Sequence, residues 1–260
     1  METKRNITDE HLKKAMQKII LPIDVSDLEK AIHLIKTLGP HVGLVKVGLE
    51  TMTSIGGPVI VQLAADYGVS IFYDGKFNDI PHTTGNATHP LSLRHHIKMM
   101  NVHATSGDTS IAAAVKHRGA MNVLVVTVLT SITDEECEEI FGCLPEEAVV
   151  KFAHKAVRNG AQGIVCSPHE LEILSGIEEL QGLLKVTPGI QPLWFQKNDQ
   201  QRVMTPYEAI TNGADYLVIG RAITAPPHDH EFIQGDSMKA LELIVQEIAE
   251  ALFELEEASK

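Results

Sequence analysis

The sequence predicts an α/β fold, namely a single (β/α)8 TIM barrel that spans residues 1–260. Three observations support it: eight short apolar runs that indicate buried strands, helical segments between them, and charged residues at the ends of the first three runs. Strands that alternate with helices favour a parallel sheet, and eight such units in about 250 residues are typical of this barrel. A doubly wound open sheet would alternate similarly, but no Gly-x-Gly-x-x-Gly motif follows the first run, so we favour the barrel.

The apolar runs are rich in Val, Ile and Leu, as expected for parallel strands covered on both faces. We expect strands at residues 18–24, 42–48, 69–76, 99–104, 121–129, 163–167, 183–190 and 216–221. Helical periodicity predicts helices at residues 26–38, 59–67, 109–117, 146–159 and 206–212, and a long amphipathic helix at 237–255. Residues 1–17 are predicted to form a capping segment across the bottom of the barrel.

Composition and charge argue against several classes of protein. The chain has 44% hydrophobic and 22% charged residues and a formal net charge of −12, which argues against a general nucleic-acid binder. A local cationic pocket for a small phosphorylated ligand remains compatible with this charge. The N-terminus lacks the apolar core of a signal peptide and no run approaches a membrane span, so we expect no membrane partner. Cys137, Cys143 and Cys166 lack Cys-x-x-Cys spacing, which favours free thiols and a cytoplasmic location.

Charged residues close the first three predicted strands. Asp24 ends the first run, Lys46 the second, and Asp74 and Lys76 the third. Because alternate side chains of a strand share a face, Asp74 and Lys76 are expected to point inward together. A lone Asp-x-Lys pair is as often a structural salt bridge. Three successive charged strands instead favour a site at the carboxyl ends of the strands, where barrel enzymes have their active sites.

The last two predicted strands end in segments that suit a phosphate group. Thr187-Pro-Gly-Ile190 closes the seventh strand, and Gly220 and Arg221 close the eighth. Barrels commonly bind phosphate at these two loops through backbone N–H groups, and an arginine can donate to two phosphate oxygens. In isolation a Gly-Arg pair is more often a turn with a solvated cation, but its position in the barrel favours a ligand contact.

Six segments, in this order along the chain, carry a resemblance to a known family. They are Asp24, Lys46-Val-Gly48, Asp74-Gly-Lys-Phe-Asn-Asp-Ile-Pro-His-Thr83, Val126-Thr-Val-Leu-Thr-Ser131, Thr187-Pro-Gly-Ile190 and Gly213-Ala-Asp-Tyr-Leu-Val-Ile-Gly-Arg-Ala-Ile-Thr224. Together they resemble the orotidine 5'-phosphate decarboxylase family over almost the whole chain. The resemblance implies a carboxy-lyase of pyrimidine biosynthesis that converts orotidine 5'-monophosphate to uridine 5'-monophosphate without a cofactor or metal.

The resemblance also implies roles for particular residues. Lys46, Asp74, Lys76 and Asp79 would form an alternating catalytic array in which Lys76 protonates C6 of the substrate. Asp79 would reach the site of the partner in a homodimer. The substrate contacts would be Asp24 and Lys46 on ribose hydroxyls, Thr83 near the partner's ribose, Thr130 or Ser131 on the pyrimidine, and Gln200, Gly220 and Arg221 at the phosphate.

Two alternatives remain open at this stage. The first is a related metal-dependent sugar-phosphate decarboxylase family that shares Asp-x-Lys-x-x-Asp. The resemblance implies that its members hold the cation with the help of a glutamate where this chain has Lys46, and a lysine would repel the cation. The second is a barrel that binds a nucleotide without turning it over, against which the intact Asp74, Lys76 and Asp79 argue. One departure from the family pattern is Gln191, which stands where an arginine is frequent and removes a cation from the phosphate end.

Overall fold

The computed structural model describes residues 7–195 and 204–260. Eight parallel strands pair with their neighbours in chain order, and the eighth pairs with the first to close a barrel. The strands are β1 Ile19–Pro22, β2 Leu44–Val47, β3 Ile71–Phe77, β4 Ile97–His103, β5 Asn122–Val126, β6 Gly163–Val165, β7 Leu184–Thr187 and β8 Tyr216–Val218. The predicted (β/α)8 barrel is therefore confirmed, and the doubly wound sheet is excluded.

Helices surround the strands. They are α1 Asp9–Gln17, α2 Leu28–Thr37, α3 Leu49–Thr51, α4 Gly57–Asp66, α5 Pro81–Ser92, α6 Asp108–His117, α7 Asp134–Phe141, α8 Pro145–Arg158, α9 Leu171–Ser175, α10 Pro206–Thr211, α11 Arg221–Thr224 and α12 Ser237–Ala258. A π-helical turn covers Met52–Gly56, and 3-10 turns cover Gly39–His41, Ala104–Ser106, Pro168–Glu170 and Glu178–Leu180. Side-chain caps fix several starts; for example, Asp27 Oδ1 accepts a bond from the Lys30 N–H of α2.

Several observed elements differ from the sequence prediction. β5, β7 and β8 each end three residues earlier than expected, so the segments that follow them are loops at the mouth of the barrel. The sequence analysis did not predict α5 or α7. α5 contains Gly85 and Pro90, which disfavour helix in isolation. It forms nevertheless because Thr84, Gly85 and Thr88 are buried against the rest of the fold, where packing overrides propensity.

Inward-facing side chains fill the barrel in layers. The lower layer is an apolar cluster of buried side chains from six strands: Ile20, Leu44, Phe72, Met99, Leu124 and Val186. Because side chains alternate along a strand, the next inward layer lies two residues further toward the carboxyl ends. That layer contains Lys46, Asp74 and Asn101, so charged and polar groups lie directly above an apolar floor.

The N-terminal helix packs beside the C-terminal one. In α1, His11 Nε2 and Lys14 Nζ each lie 3.0 Å from a carboxylate oxygen of Glu256 in α12. That residues 1–17 cap the barrel bottom stays a prediction.

The three cysteines are free thiols, as expected. Across residues 7–195 and 204–260, no helix combines the length and the apolar character needed to cross a membrane.

Candidate active site

A cavity of about 390 Å³ opens at the carboxyl ends of the strands. One wall is ionic, and the opposite wall is apolar. The residues that line it include Asp24, Lys46, Asp74 and Lys76 on the ionic side, Val126, Val128, Val165, Ile190, Phe195 and Val218 on the apolar side, and Gln191, Gly220 and Arg221 at one end. A volume of this size is within the range of small-molecule sites, which are mostly apolar with a few placed polar groups.

The four predicted charged residues, Asp24 after β1, Lys46 in β2, and Asp74 and Lys76 in β3, form a continuous chain of alternating charge. Lys46 Nζ lies 3.0 Å from Asp24 Oδ1 and 3.2 Å from Asp74 Oδ2. The other oxygen of the same carboxylate, Asp74 Oδ1, lies 2.7 Å from Lys76 Nζ. The structure therefore brings Asp24, Lys46, Asp74 and Lys76 together, with the two ammonium groups on either side of one carboxylate.

Burial makes this cluster costly unless its charges are paired. The side chain of Asp74 is 7% exposed and that of Lys46 is 13% exposed, whereas that of Lys76 is 31% exposed to the cavity. Burial by itself would lower the pKa of Lys46, but the charges of Asp74 and Asp24 outweigh it, so the pKa lies above the ordinary lysine value. Lys46 therefore remains a cation at neutral pH and holds both carboxylates in place.

A bulge in β3 presents the Asp74–Lys76 pair to the cavity. Tyr73 pairs with Met100 and Phe77 pairs with Val102, so the three residues between them in β3 face a single residue of β4, Asn101. Lys76 adopts a left-handed backbone conformation with φ of 45°, which is uncommon for a residue other than glycine. The extra backbone lets Lys76 Nζ turn back toward Asp74 Oδ1.

Asn101 is a residue of this site that the sequence analysis missed. Its side chain is almost fully buried, and its Oδ1 accepts a bond of 2.7 Å from the backbone N–H of Lys76. Its Nδ2 donates a bond of 2.6 Å to Asp74 Oδ1. The available signal was its place in β4: Asn101 lies two residues after the inward-facing Met99, at the level of Lys46 and Asp74.

Gly48 follows β2 and leaves room for the ionic cluster. A Cβ atom at this position would lie 2.9 Å from Lys46 Nζ and 3.0 Å from Asp24 Oδ1. Its φ of −101° is accessible to any residue, so the requirement for glycine here is one of space. The resemblance included Gly48 without giving it a role.

We expect Gly48→Ala to lower kcat/KM by about 10- to 100-fold, because the new methyl group would displace Lys46 Nζ and small misplacements of reacting groups are costly. The thermal midpoint should change little, since the displaced atom is the end of a flexible side chain. Gly182→Ala is the matched control, because nothing lies within 4 Å of a Cβ built there. A wild-type kcat/KM for Gly48→Ala in a steady-state assay would show that this space is not needed.

Asp79 and Thr83 do not line the cavity of their own chain. Both are exposed, at and just after the loop that joins β3 to α5. Asp79 Oδ1 accepts a bond of 2.7 Å from the backbone N–H of Ile80, and its carbonyl accepts bonds from the hydroxyls of Ser110 and Thr84. The backbone of the loop is thus held in place while the side chains of Asp79, Ile80 and Thr83 face outward from the barrel.

The predicted substrate contacts are distributed unevenly. Thr130 lines the cavity, whereas the neighbouring Ser131 is exposed and does not line it. Gly220 precedes α11 and Arg221 begins it, and both lie at the cavity wall. Gln200, predicted to contact the phosphate, lies outside the described residues.

Two side chains near the cavity have chemistry that the structure defines. Burial raises the pKa of the Cys166 thiol to about 12, so this lining residue is a neutral thiol and no nucleophile at neutral pH. His103, at the end of β4, has a lowered pKa because of its burial and the nearby charge of Lys76. His103 is therefore a neutral imidazole at pH 7.

A histidine holds the segment that follows α11. His230 Nδ1 accepts bonds of 3.2 Å from the backbone N–H groups of Phe232 and Ile233. The ring of Trp194 lies edge-on to His230, with centroids 5.8 Å apart. Trp194 therefore packs against this segment.

The fold and the site together define a class: a (β/α)8-barrel protein with an enzyme-like ionic cavity at the carboxyl ends of its strands. The model of the orotidine 5'-phosphate decarboxylase / HUMPS family matches residues 17–233. The chain belongs to this family, as the sequence motifs predicted.

Similar proteins support the assignment. A protein of Heliobacterium modesticaldum described as orotidine 5'-phosphate decarboxylase is 38% identical over 251 residues, which cover 92% of this chain and 98% of that protein. One of Moorella thermoacetica with the same description is 42% identical over 226 residues, covering 82% and 88% of the two chains. The solved structure of orotidine 5'-phosphate decarboxylase from Lactobacillus acidophilus has a TM-score of 0.73 at 30% identity, covering 88% of this chain and 98% of that one.

Proposed function

We propose that this protein decarboxylates orotidine 5'-monophosphate to uridine 5'-monophosphate, a step of pyrimidine biosynthesis, as a carboxy-lyase without a cofactor. The observation that carries the proposal is the Lys46–Asp74–Lys76 chain, in which one buried carboxylate lies between two ammonium groups at the cavity wall. The names of its relatives support the same substrate. Free thiols and the reaction itself fit a cytoplasmic location.

Lys76 is the proposed proton donor. When the bond between C6 and the carboxylate breaks, the electron pair stays on C6 in an sp2 orbital that the ring cannot delocalise. The carbanion needs a positive charge beside it, and the Lys76 ammonium, aimed at the cavity by the bulge in β3, provides one. Carbon dioxide departs, the C6 lone pair takes a proton from Lys76 Nζ, and the resulting amine is reprotonated from water.

Asp74 would act on the departing group. Its carboxylate is held by Lys46, Lys76 and Asn101 at distances of 2.6 to 3.2 Å, so it keeps its position when substrate enters. A substrate carboxylate beside it would be repelled, and the loss of CO2 relieves that repulsion. Because these contacts keep Asp74 in place, the repulsion acts on the substrate carboxylate and does not displace Asp74.

The remaining residues would bind and orient the nucleotide. Asp24 and Lys46, which line the cavity, would bind ribose hydroxyls, and the apolar wall beside Thr130 suits the flat face of the pyrimidine. Gly220 and Arg221, together with Gln200, would bind the phosphate. Binding energy from the phosphate, remote from C6, orients the ring for reaction.

We further propose a homodimer in which Asp79 and Thr83 complete the partner's site. These side chains are exposed and do not line the cavity of their own chain, and the neighbouring Ile80 is 65% exposed. A fixed loop that presents a carboxylate and a large apolar side chain outward suits a contact with a second copy of the chain.

The metal-dependent alternative fits the residues less well. Lys46 Nζ lies 3.0 Å from Asp24 and 3.2 Å from Asp74, so an ammonium already occupies the position between the two carboxylates that a metal cation would need. In the described part of the chain, no group of three or more His, Cys, Asp or Glu side chains is arranged to hold a metal ion. The binding-only alternative leaves the exposed end of Lys76 without a use.

Turnover of orotidine 5'-monophosphate tests the proposal. Purified protein should remove the orotate absorbance band and release uridine 5'-monophosphate and CO2 in equal amounts. Orotidine, which lacks the phosphate, should react with kcat/KM lower by several orders of magnitude, because it lacks the binding energy of the phosphate. A protein that binds orotidine 5'-monophosphate in calorimetry without consuming it would be the non-catalytic barrel.

A further inference from the structure

We propose that Asn101 is a positioning residue that sets the geometry of the Asp74–Lys76 pair. The inference rests on the proposed decarboxylation, and it assigns to one amide two tasks at the bulge of β3. The amide oxygen accepts the Lys76 N–H at 2.7 Å, and the amide nitrogen donates to Asp74 Oδ1 at 2.6 Å. One rigid planar group therefore links the backbone of the proton donor to the carboxylate beside it.

The bulge explains why β3 needs such a group. Regular pairing between β3 and β4 is interrupted between Tyr73 and Phe77, and the N–H of Lys76 donates to the side-chain oxygen of Asn101 instead of to a strand carbonyl. A buried donor without a partner would cost about 1–3 kcal/mol. The left-handed conformation of Lys76 is itself strained, and such strain persists only where neighbouring contacts hold it. Asn101 is that neighbouring contact.

The same amide restricts Asp74. Oδ1 of Asp74 receives both Lys76 Nζ and Asn101 Nδ2, while Oδ2 receives Lys46 Nζ. Without the amide, the Asp74 carboxylate would still contact the ammonium groups of Lys46 and Lys76. It could, however, rotate so that both of its oxygens contact the same ammonium group. Lys76 Nζ would then move with it, and a displacement of about 1 Å at a reacting group can cost about 100-fold in rate.

Asn101→Ala and Asn101→Asp separate positioning from mere structural support. Gln162→Ala is the matched control, because the Gln162 side-chain amide likewise accepts a strand N–H, that of Val123 at 2.9 Å, at the opposite end of the barrel. We expect Asn101→Ala to lower kcat about 100-fold with KM within about threefold of wild type. Gln162→Ala should keep wild-type kcat despite a comparable loss of thermal stability.

Asn101→Asp gives a pH signature that a structural role would not produce. When protonated, the new carboxyl group can still donate to Asp74, as the amide does. When ionised, it faces Asp74 as a like charge, which raises its pKa above the usual aspartate value of about 3.9. We therefore expect the kcat of Asn101→Asp to fall as pH rises through this raised pKa, in a limb that wild type lacks.

Other titratable groups face the same position and are present in every variant. The charged ones are Asp74 and Lys76 on β3 and Lys46 on β2, and the neutral imidazole of His103 on β4 is the remaining titratable group. On the β5 side, Asn101 pairs with the apolar Leu124. Because these groups are common to wild type and variant, a pH limb found only in Asn101→Asp belongs to the new carboxyl group.

The outcomes are distinct. Wild-type kcat in Asn101→Ala, an equal loss of kcat in Gln162→Ala, or a wild-type pH profile in Asn101→Asp would each overturn the positioning role. If wild type itself fails to consume orotidine 5'-monophosphate, the proposed function fails, and the crystal structure of Asn101→Ala still decides the inference. A Lys76 backbone that leaves the left-handed region, or a longer separation between Lys76 Nζ and Asp74, supports it; an unchanged bulge overturns it.

Discussion

Replacing Lys76 with alanine is expected to abolish decarboxylation while the barrel stays folded. The variant removes both the charge that stabilises the C6 carbanion and the proton that quenches it, so kcat should fall by at least about 10⁴-fold. The fold should persist because Asp74 keeps its contacts with Lys46 at 3.2 Å and Asn101 at 2.6 Å, so no buried charge is left alone. Steady-state turnover and circular dichroism measure the two effects separately.

Lys98→Ala is the control for this variant. Lys98 lies on β4, next to β3, but its side chain is exposed and does not line the cavity. It should keep wild-type kcat, which shows that the loss of a strand lysine is harmless by itself. If well-folded Lys76→Ala retained even about a tenth of wild-type kcat, Lys76 would not be the proton donor.

Mixing two inactive variants is expected to restore activity if Asp79 completes the partner's site. Asp79→Ala and Lys76→Ala homodimers each lack one component of both sites. After subunit exchange, a mixed dimer has one site with neither residue and one site with both. Half of the dimers in an equal mixture are mixed, so activity should recover to about a quarter of the wild-type level.

Two controls accompany the mixing experiment. Lys76→Ala mixed with wild type should leave the activity per wild-type chain unchanged, because each wild-type Lys76 still meets an intact Asp79. Size-exclusion chromatography with light scattering should give the mass of two 28.4 kDa chains. A monomer, or a mixture that stays inactive after confirmed subunit exchange, would remove Asp79 from the partner's site.

The sequence predicted the barrel and the ionic wall because both follow from simple periodicities. Eight apolar runs predict the strands, and the charged ends of the first three place Asp24, Lys46 and Asp74 at one end of the barrel, where the structure brings these three together. The alternation of side chains also predicted that Asp74 and Lys76 face the same way, although the bulge between them achieves this by an irregular route.

The rest of the site depends on geometry that no local pattern encodes. The left-handed conformation of Lys76 exists because Asn101, 25 residues away, accepts its N–H. Helix α5 has poor intrinsic propensity and forms because its buried residues pack against the fold. Likewise, the early ends of β5 and β8 release the loops that carry Thr130 and Gly220 to the cavity, and strand length is set by tertiary packing.

The most direct test of the central claim is the decay of the orotate absorbance band with protein that has been dialysed against a strong chelator. An ionic array that needs no metal predicts the same kcat before and after chelation, and the same value when Mg²⁺ or Zn²⁺ is added back. Turnover that is lost with chelator and restored by a divalent cation would contradict the account, because Lys46 would then not occupy the place of a metal between Asp24 and Asp74.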